Sequence, residues 1–132
     1  MGFRELPHTA DCAIRVWAPD LPDLFAEAAR GMNALAGARL ARRPRASRQF
    51  LLNAPDEESL LVAFLTELID AQERAQTGYD EFDLQVSALS LTGSAEGGRL
   101  ISLSKPIKAA TFHNLHIRAT VQGVETVIVF DA

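Results

Sequence analysis

Two apolar stripes at helical spacing, both confined to the first part of the chain, constrain the fold more than any other feature. Leu21, Leu24, Phe25, Ala28, Ala29, Met32 and Leu35 recur every three to four residues, the period that returns side chains to one face of an α-helix. Asp20 is placed to cap this stripe, Asp23 suits the positive end of the helix dipole, and Gly37 is a natural stop. A helix over 21–36 follows. Leu60, Leu61, Phe64, Leu65, Leu68 and Ile69 form the second stripe behind Asp56, which predicts a helix over 57–76. The acids Glu57, Glu58, Glu67, Asp70 and Glu73 make its solvated outer face. Thr77, Gly78 and Tyr79 end it.

Around and beyond these helices the period changes from 3.6 to 2. Ile14, Val16 and Ala18 alternate with Ala13, Arg15 and Trp17, giving a strand over 11–18, with room for a short strand before it. Further strands are expected at 46–53, through Phe82, Leu84 and Val86, and at 99–104, with Gly93 to Gly98 as a turn region. The runs 108–121 and 124–131 read as a hairpin through Gly123. ValIleValPhe at 127–130 is apolar on both faces and reads as a central strand. The order β-α-β-α-β-β-β-β predicts an α+β fold: one domain over 1–132, two helices against a mixed or antiparallel sheet.

Composition narrows function mainly by exclusion. A chain of 132 residues that is 48% apolar and 23% charged can bury a core without disulfides. The single cysteine, Cys12, excludes an internal disulfide and a cysteine-based zinc site, and reads as a small buried residue. No apolar run is long enough to span a membrane and no signal stretch opens the chain, so the expected compartment is the cytoplasm. The net charge is −4, which offers nucleic acid no whole-molecule attraction. Arg39, Arg42, Arg43, Arg45 and Arg48 crowd one stretch; removing those five positive charges from the net −4 leaves −9 for the rest. The stretch 39–48 reads as a solvated loop, or as a basic contact for RNA or an acidic partner.

The residues able to carry chemistry lie near the two ends. Asp11 has the parity of Ala13 and Arg15, and Asp131 ends the apolar strand. With Ala132 as the last residue, its α-carboxylate lies within a few ångströms of the Asp131 side chain. If Asp11 joins them, three carboxylates share one small volume and must protonate, recruit a lysine or bind a cation. All-oxygen donors suit Ca²⁺ or Mg²⁺ rather than zinc. Lys108 is either a solvated strand-edge lysine or one that reaches this acidic site. His113 reads as a partly buried strand residue, a ligand or a proton shuttle. His116, three positions on, faces the other side of a regular strand. His8 reads as a turn residue. Nothing local resembles a nucleophilic triad.

The chain resembles the archease family along most of its length. The likeness is carried by HisThrAlaAsp at 8–11, IleArgValTrp at 14–17, LeuPheAlaGluAlaAlaArgGlyMet at 24–32, LeuLeuValAlaPheLeuThrGluLeu at 60–68, LysAlaAlaThrPheHisAsnLeu at 108–115 and ValPheAsp at 129–131. It implies a small α+β protein that assists the RNA-splicing 3′-phosphate ligase, promoting its guanylylation and its multiple turnover in tRNA splicing or RNA repair. It implies a protein cofactor rather than an enzyme, meeting RNA only indirectly through the ligase. It implies a metal site, calcium with magnesium or manganese as alternatives, on Asp11, Asp131 and Ala132. Ligase activation would fall on Asp11, Lys108 and Asp131, with His8 and His113 as neighbours. Two stretches depart from the family: LeuSerLysProIleLys at 103–108, where it often has Arg-His, and GlyValGluThrVal at 123–127, where an aromatic residue is common. Two rival readings from other classes are a stand-alone metal-dependent hydrolase or phosphotransferase, and a chaperone-like scaffold.

Overall fold

A computed structural model of the chain describes residues 1–7 and 12–132. In chain order the elements are β1 Gly2–Leu6, β2 Cys12–Ala18, α1 Leu21–Ala36, β3 Arg39–Asn53, α2 Glu57–Arg74, β4 Thr77–Ser87, β5 Ser90–Ser102, β6 Ala109–Ala110, β7 Arg118–Thr120 and β8 Gly123–Asp131. All strand pairs are antiparallel. One sheet runs β1-β2-β8-β6, with β7 also on β8; the other runs β3-β5-β4. This is the expected α+β class, with the strands divided between two sheets.

The helices form where the capping chemistry places them. Asp20 accepts from the Asp23 amide at 3.0 Å, and Gly37 closes α1 in the left-handed region at φ 63°. Asp56 accepts from the Ser59 amide at 2.7 Å and starts α2. Leu24, Phe25, Ala28, Ala29 and Met32 of α1 and Leu60, Leu61, Phe64 and Leu65 of α2 are wholly buried. Phe64 joins the layers: its ring lies 5.9 Å from Phe25 on α1, 5.4 Å from Phe50 on β3 and 5.9 Å from Phe82 on β4. No described helix is long and apolar enough to cross a membrane.

Three sequence expectations give way here. The arginine-rich stretch is not a loop: β3 begins at Arg39, and its register slips between Leu40 and Arg45. Leu40 pairs with Leu100 and Arg45 with Gly98, so residues 41–44 face the single residue Arg99 and bulge outward. Among the described residues β3 pairs only with β5, so its far edge can carry arginines and Pro44 without burying them.

Gly93 to Gly98 is not a turn but the middle of β5. A side chain on Gly97 would meet the Gly78 carbonyl oxygen at 1.8 Å, and one on Gly98 the Ala41 carbonyl oxygen at 2.2 Å. The glycines are there because the irregular parts of β3 and β4 close on β5 from both sides. The run 108–121, finally, is not one strand. Only Ala109–Ala110 and Arg118–Thr120 pair with β8, and the stretch between them is irregular.

Candidate functional site

Strand β8 is central, as its two-faced apolar run predicts. It is held by β2 on one side and by β6 and β7 on the other. Ile128 and Phe130 are fully buried beside Ile14 and Val16. Asp131, one residue on, is exposed at the strand's end. The apolar segment therefore carries the carboxylate to the rim of the sheet without burying it, which avoids the cost of an unpaired buried charge.

Lys108 arrives at the same rim from the other side. Its amide donates to the Asp131 carbonyl oxygen at 2.7 Å, and Ala109 is the register partner of Asp131. Thr111 fixes this approach twice, donating from its amide at 3.0 Å and from Oγ1 at 2.8 Å to the Val129 carbonyl oxygen. The small residues at 109 and 110 let the chain lie close against β8. Among the described residues the Lys108 ammonium makes no ion pair. Its side chain borders an open cleft of about 600 Å³ between α2 and the 100–108 segment, lined also by Ile69, Glu73, Leu103 and Ile107.

The third strand at this rim is β2. Its first residue, Cys12, pairs with Phe130, and Ala13 pairs with Val129. Cys12 is half-buried rather than buried, because it opens the strand at the edge of the core. The Lys105 ammonium reaches its sulfur at 3.4 Å. Asp11 and His8 lie outside the described residues, and Ala132 is exposed beyond the last strand.

The histidines separate. His113 is exposed in the irregular stretch, where its amide meets the Thr111 hydroxyl at 3.3 Å and Asn114 Nδ2 lies 3.4 Å from its Nε2. It is neither a strand residue nor partly buried, because the chain leaves β8 after Thr111. His116 lies farther along β8, where its carbonyl oxygen accepts from the Thr126 hydroxyl at 2.8 Å. Neither histidine lies in a regular strand, so neither has a fixed face by alternation.

Two groups at this rim escaped the sequence reading. Lys105 adds a second cation, and Phe112, next to Thr111, is 59% exposed. Phe112 lies just past the point where β6 ends, in the irregular stretch, and its ring is exposed there.

The chemistry offered is that of a hard-ion or phosphate site. Asp131 presents a carboxylate that has no ion pair among the described residues, and two lysines flank its strand end. Oxygen donors of this kind fit Ca²⁺, Mg²⁺ or Mn²⁺. The described residues alone form no group of three or more histidine, cysteine or acidic side chains able to cage a metal, so a complete site needs a ligand from elsewhere.

The family model that matches this chain is the Archease protein family, over residues 3–132. A protein named Protein archease from Saccharolobus islandicus strain M.14.25 is 30% identical over 136 residues, covering 98% of both chains. Its namesake from Methanosarcina barkeri is 30% identical over 139 residues, covering 98% of this chain and 94% of the other. Among solved structures, an archease from Thermotoga maritima described as a possible chaperone superposes with a TM-score of 0.72 at 18% identity, covering 98% and 96% of the two chains. Protein 1598 of Methanobacterium thermoautotrophicum, solved in solution, gives 0.72 at 19% identity and covers 99% of each.

Proposed function

The chain belongs to the archease family, and from that premise we propose that it activates an RNA-splicing 3′-phosphate ligase through the acidic rim at Asp131. The reading is of a protein cofactor that promotes guanylylation of the ligase and its repeated turnover, not of an enzyme acting alone. The observation that carries it is the convergence of Lys108 and the start of β2 on the end of β8. The register Ala13–Val129 and Cys12–Phe130 brings the start of β2 to the end of β8, and the resemblance places activation on Asp11, next in sequence to Cys12, and on Asp131.

In this reading Asp11 and Asp131, with Ala132 adding an oxygen, would hold a hard cation, calcium first and magnesium or manganese as alternatives. Such an ion would supply positive charge opposite phosphate oxygens. The chain's own part is to position. The Lys108 amide donates to the Asp131 carbonyl oxygen and fixes the end of β8, and the Lys108 ammonium, without an ion pair among the described residues, would turn toward a phosphate. Phe112 offers an apolar contact to the ligase surface, and His113 stands beside it.

The test is reconstituted ligation with limiting ligase, GTP and a divalent metal. Multiple turnover is expected with this protein and about one turnover without it. Asp11→Ala, Asp131→Ala and Lys108→Ala are each expected to remove at least about tenfold of the stimulation, a loss of about 1.4 kcal/mol or more, with unchanged circular dichroism. Normal stimulation by all three variants would remove the acidic rim from the mechanism and leave a scaffold role. RNA cleavage or phosphate release without any ligase would instead make the protein an enzyme.

A further inference from the structure

We propose that the bulge in β3 is a phosphate-binding ridge through which the protein touches RNA directly. The register around it is unusual. Leu40 pairs with Leu100 and Arg45 with Gly98, so Ala41, Arg42, Arg43 and Pro44 stand opposite Arg99 alone. The sheet cannot absorb three extra residues, and it extrudes them. Ala41 stays buried at the base of the bulge, while Arg42, Arg43 and Pro44 are exposed. Its carbonyl lies over Gly98, close enough that no residue with a side chain would fit there. The protrusion is therefore built into the sheet rather than hung from it.

Charge sorts the arginines of this region into two groups. Arg45 is paired with Asp80 at 2.6 Å and lies 3.7 Å from Glu81. Arg48 is paired with Glu67 at 3.2 Å and lies over the Phe50 ring at 5.0 Å. These two fasten β3 to its neighbours. Arg39, Arg42, Arg43 and Arg99 are exposed and have no ion-pair partner among the described residues. Arg99 occupies the position that the bulge faces, and Arg39 lies two residues before the bulged segment, paired with Ser102. Arg42 and Arg43 thus stand on the protrusion, with Arg39 and Arg99 exposed on the two strands beside it, in a chain whose net charge is −4.

Guanidinium is the group best shaped to take a phosphate through two parallel N–H donors. The extruded segment itself presents no aromatic or long aliphatic side chain, the anchor around which protein–protein interfaces concentrate their energy. Charge complementarity and the missing anchor together favour a phosphodiester backbone over an acidic protein surface. The choice of RNA among nucleic acids rests on the proposed role beside an RNA ligase. The contact would be electrostatic and blind to sequence.

The test is fluorescence anisotropy of a labelled single-stranded RNA of ~20 nucleotides, titrated from about 50 to about 200 mM salt. Four phosphate contacts at a slope of about −0.7 each predict an affinity loss of about 50-fold across that range for the unaltered chain. Arg42→Ala with Arg43→Ala is expected to halve the slope, leaving about a 7-fold loss, and to weaken binding at the lowest salt. Arg4→Ala with Arg118→Ala removes the same charge from exposed positions elsewhere and is expected to leave the slope unchanged. Equal losses from both pairs would mean that net charge, not the ridge, governs binding. Absence of RNA binding at low salt by the unaltered chain would also overturn the proposal. So would loss of ligase capture by the Arg42/Arg43 variant without RNA present, which would assign the ridge to a protein. Ligase stimulation measured alongside keeps the two readings apart: if the unaltered chain fails to stimulate, the ligase role falls, whereas altered stimulation cannot itself produce or remove the RNA slope.

Discussion

Asp56 shows what one exposed side chain contributes. Its carboxylate accepts from the Ser59 amide at 2.7 Å and satisfies an orphan donor at the start of α2. That bond, with the Ser59 side chain adding to it, holds the Asp56 carboxyl below its ordinary value of 3.8. The folded state thus prefers the ionised form, so the contribution is fully present above 3.8 and is lost as pH falls through the lower folded-state pKa. Asp56→Asn keeps an oxygen acceptor but cannot ionise. At neutral pH the variant is expected to melt roughly 2–4 °C below the unaltered chain, discounted for exposure. The gap should narrow as pH falls below 3.8 and through the lower folded-state value. Thermal melts across that range check it, and a gap that ignored pH would refute the charge-based account. This cap was readable from an aspartate ahead of an apolar stripe, as was Asp131 from the buried run before it. The exposed Phe112 and the Lys105–Cys12 contact were not, because both depend on where a strand stops pairing.

At the scale of elements, legibility followed how local the determining forces are. The helix α1 matches its expected limits because cap, stripe and glycine stop lie in consecutive residues. Strand β5 was misread because its glycines answer to neighbours far away in sequence, Gly78 and Ala41, rather than to a local turn. The real turn between β4 and β5 was hidden for the opposite reason. It is made by Ala88 and Leu89, at φ 47° and 63°, residues with no preference for the left-handed region. A two-residue hairpin with both central residues at positive φ favours Asn-Gly, and a non-glycine residue there costs roughly 1 kcal/mol. Ala88→Asn with Leu89→Gly is therefore expected to stabilise the chain by about 1 kcal/mol in urea unfolding, with an unchanged m-value. No gain, or a loss, would mean that the Leu89 side chain contributes more to the fold than its exposure suggests.

For the whole molecule, the candidate site couples segments that are far apart in sequence. Strand β2 lies near one end of the chain and β8 near the other, and they form a long ladder at the centre of their sheet. α1 follows β2 directly and packs on it. A cation held between the acid ahead of β2 and the acid ending β8 would bind only the assembled sheet, so its binding energy would appear as folding stability. At a free metal concentration of about 100 times Kd, the gain is about 2.7 kcal/mol, or about 10 °C in melting temperature for a chain of this length. Calcium is expected to raise the melting temperature of the unaltered chain by that amount, and a chelator to reverse it. Asp131→Asn removes a charge from an exposed position and is expected to melt near the unaltered metal-free chain, with most of the calcium response gone. Asp23→Asn is a suitable control, since it removes the same charge from the first turn of α1, away from the rim. If calcium, magnesium and manganese all left the unaltered chain's melting temperature where it was, or raised that of Asp131→Asn equally, the two ends would not share an ion. Lys108 would then be the residue through which the rim acts, and ligase activation would have to proceed by positioning alone.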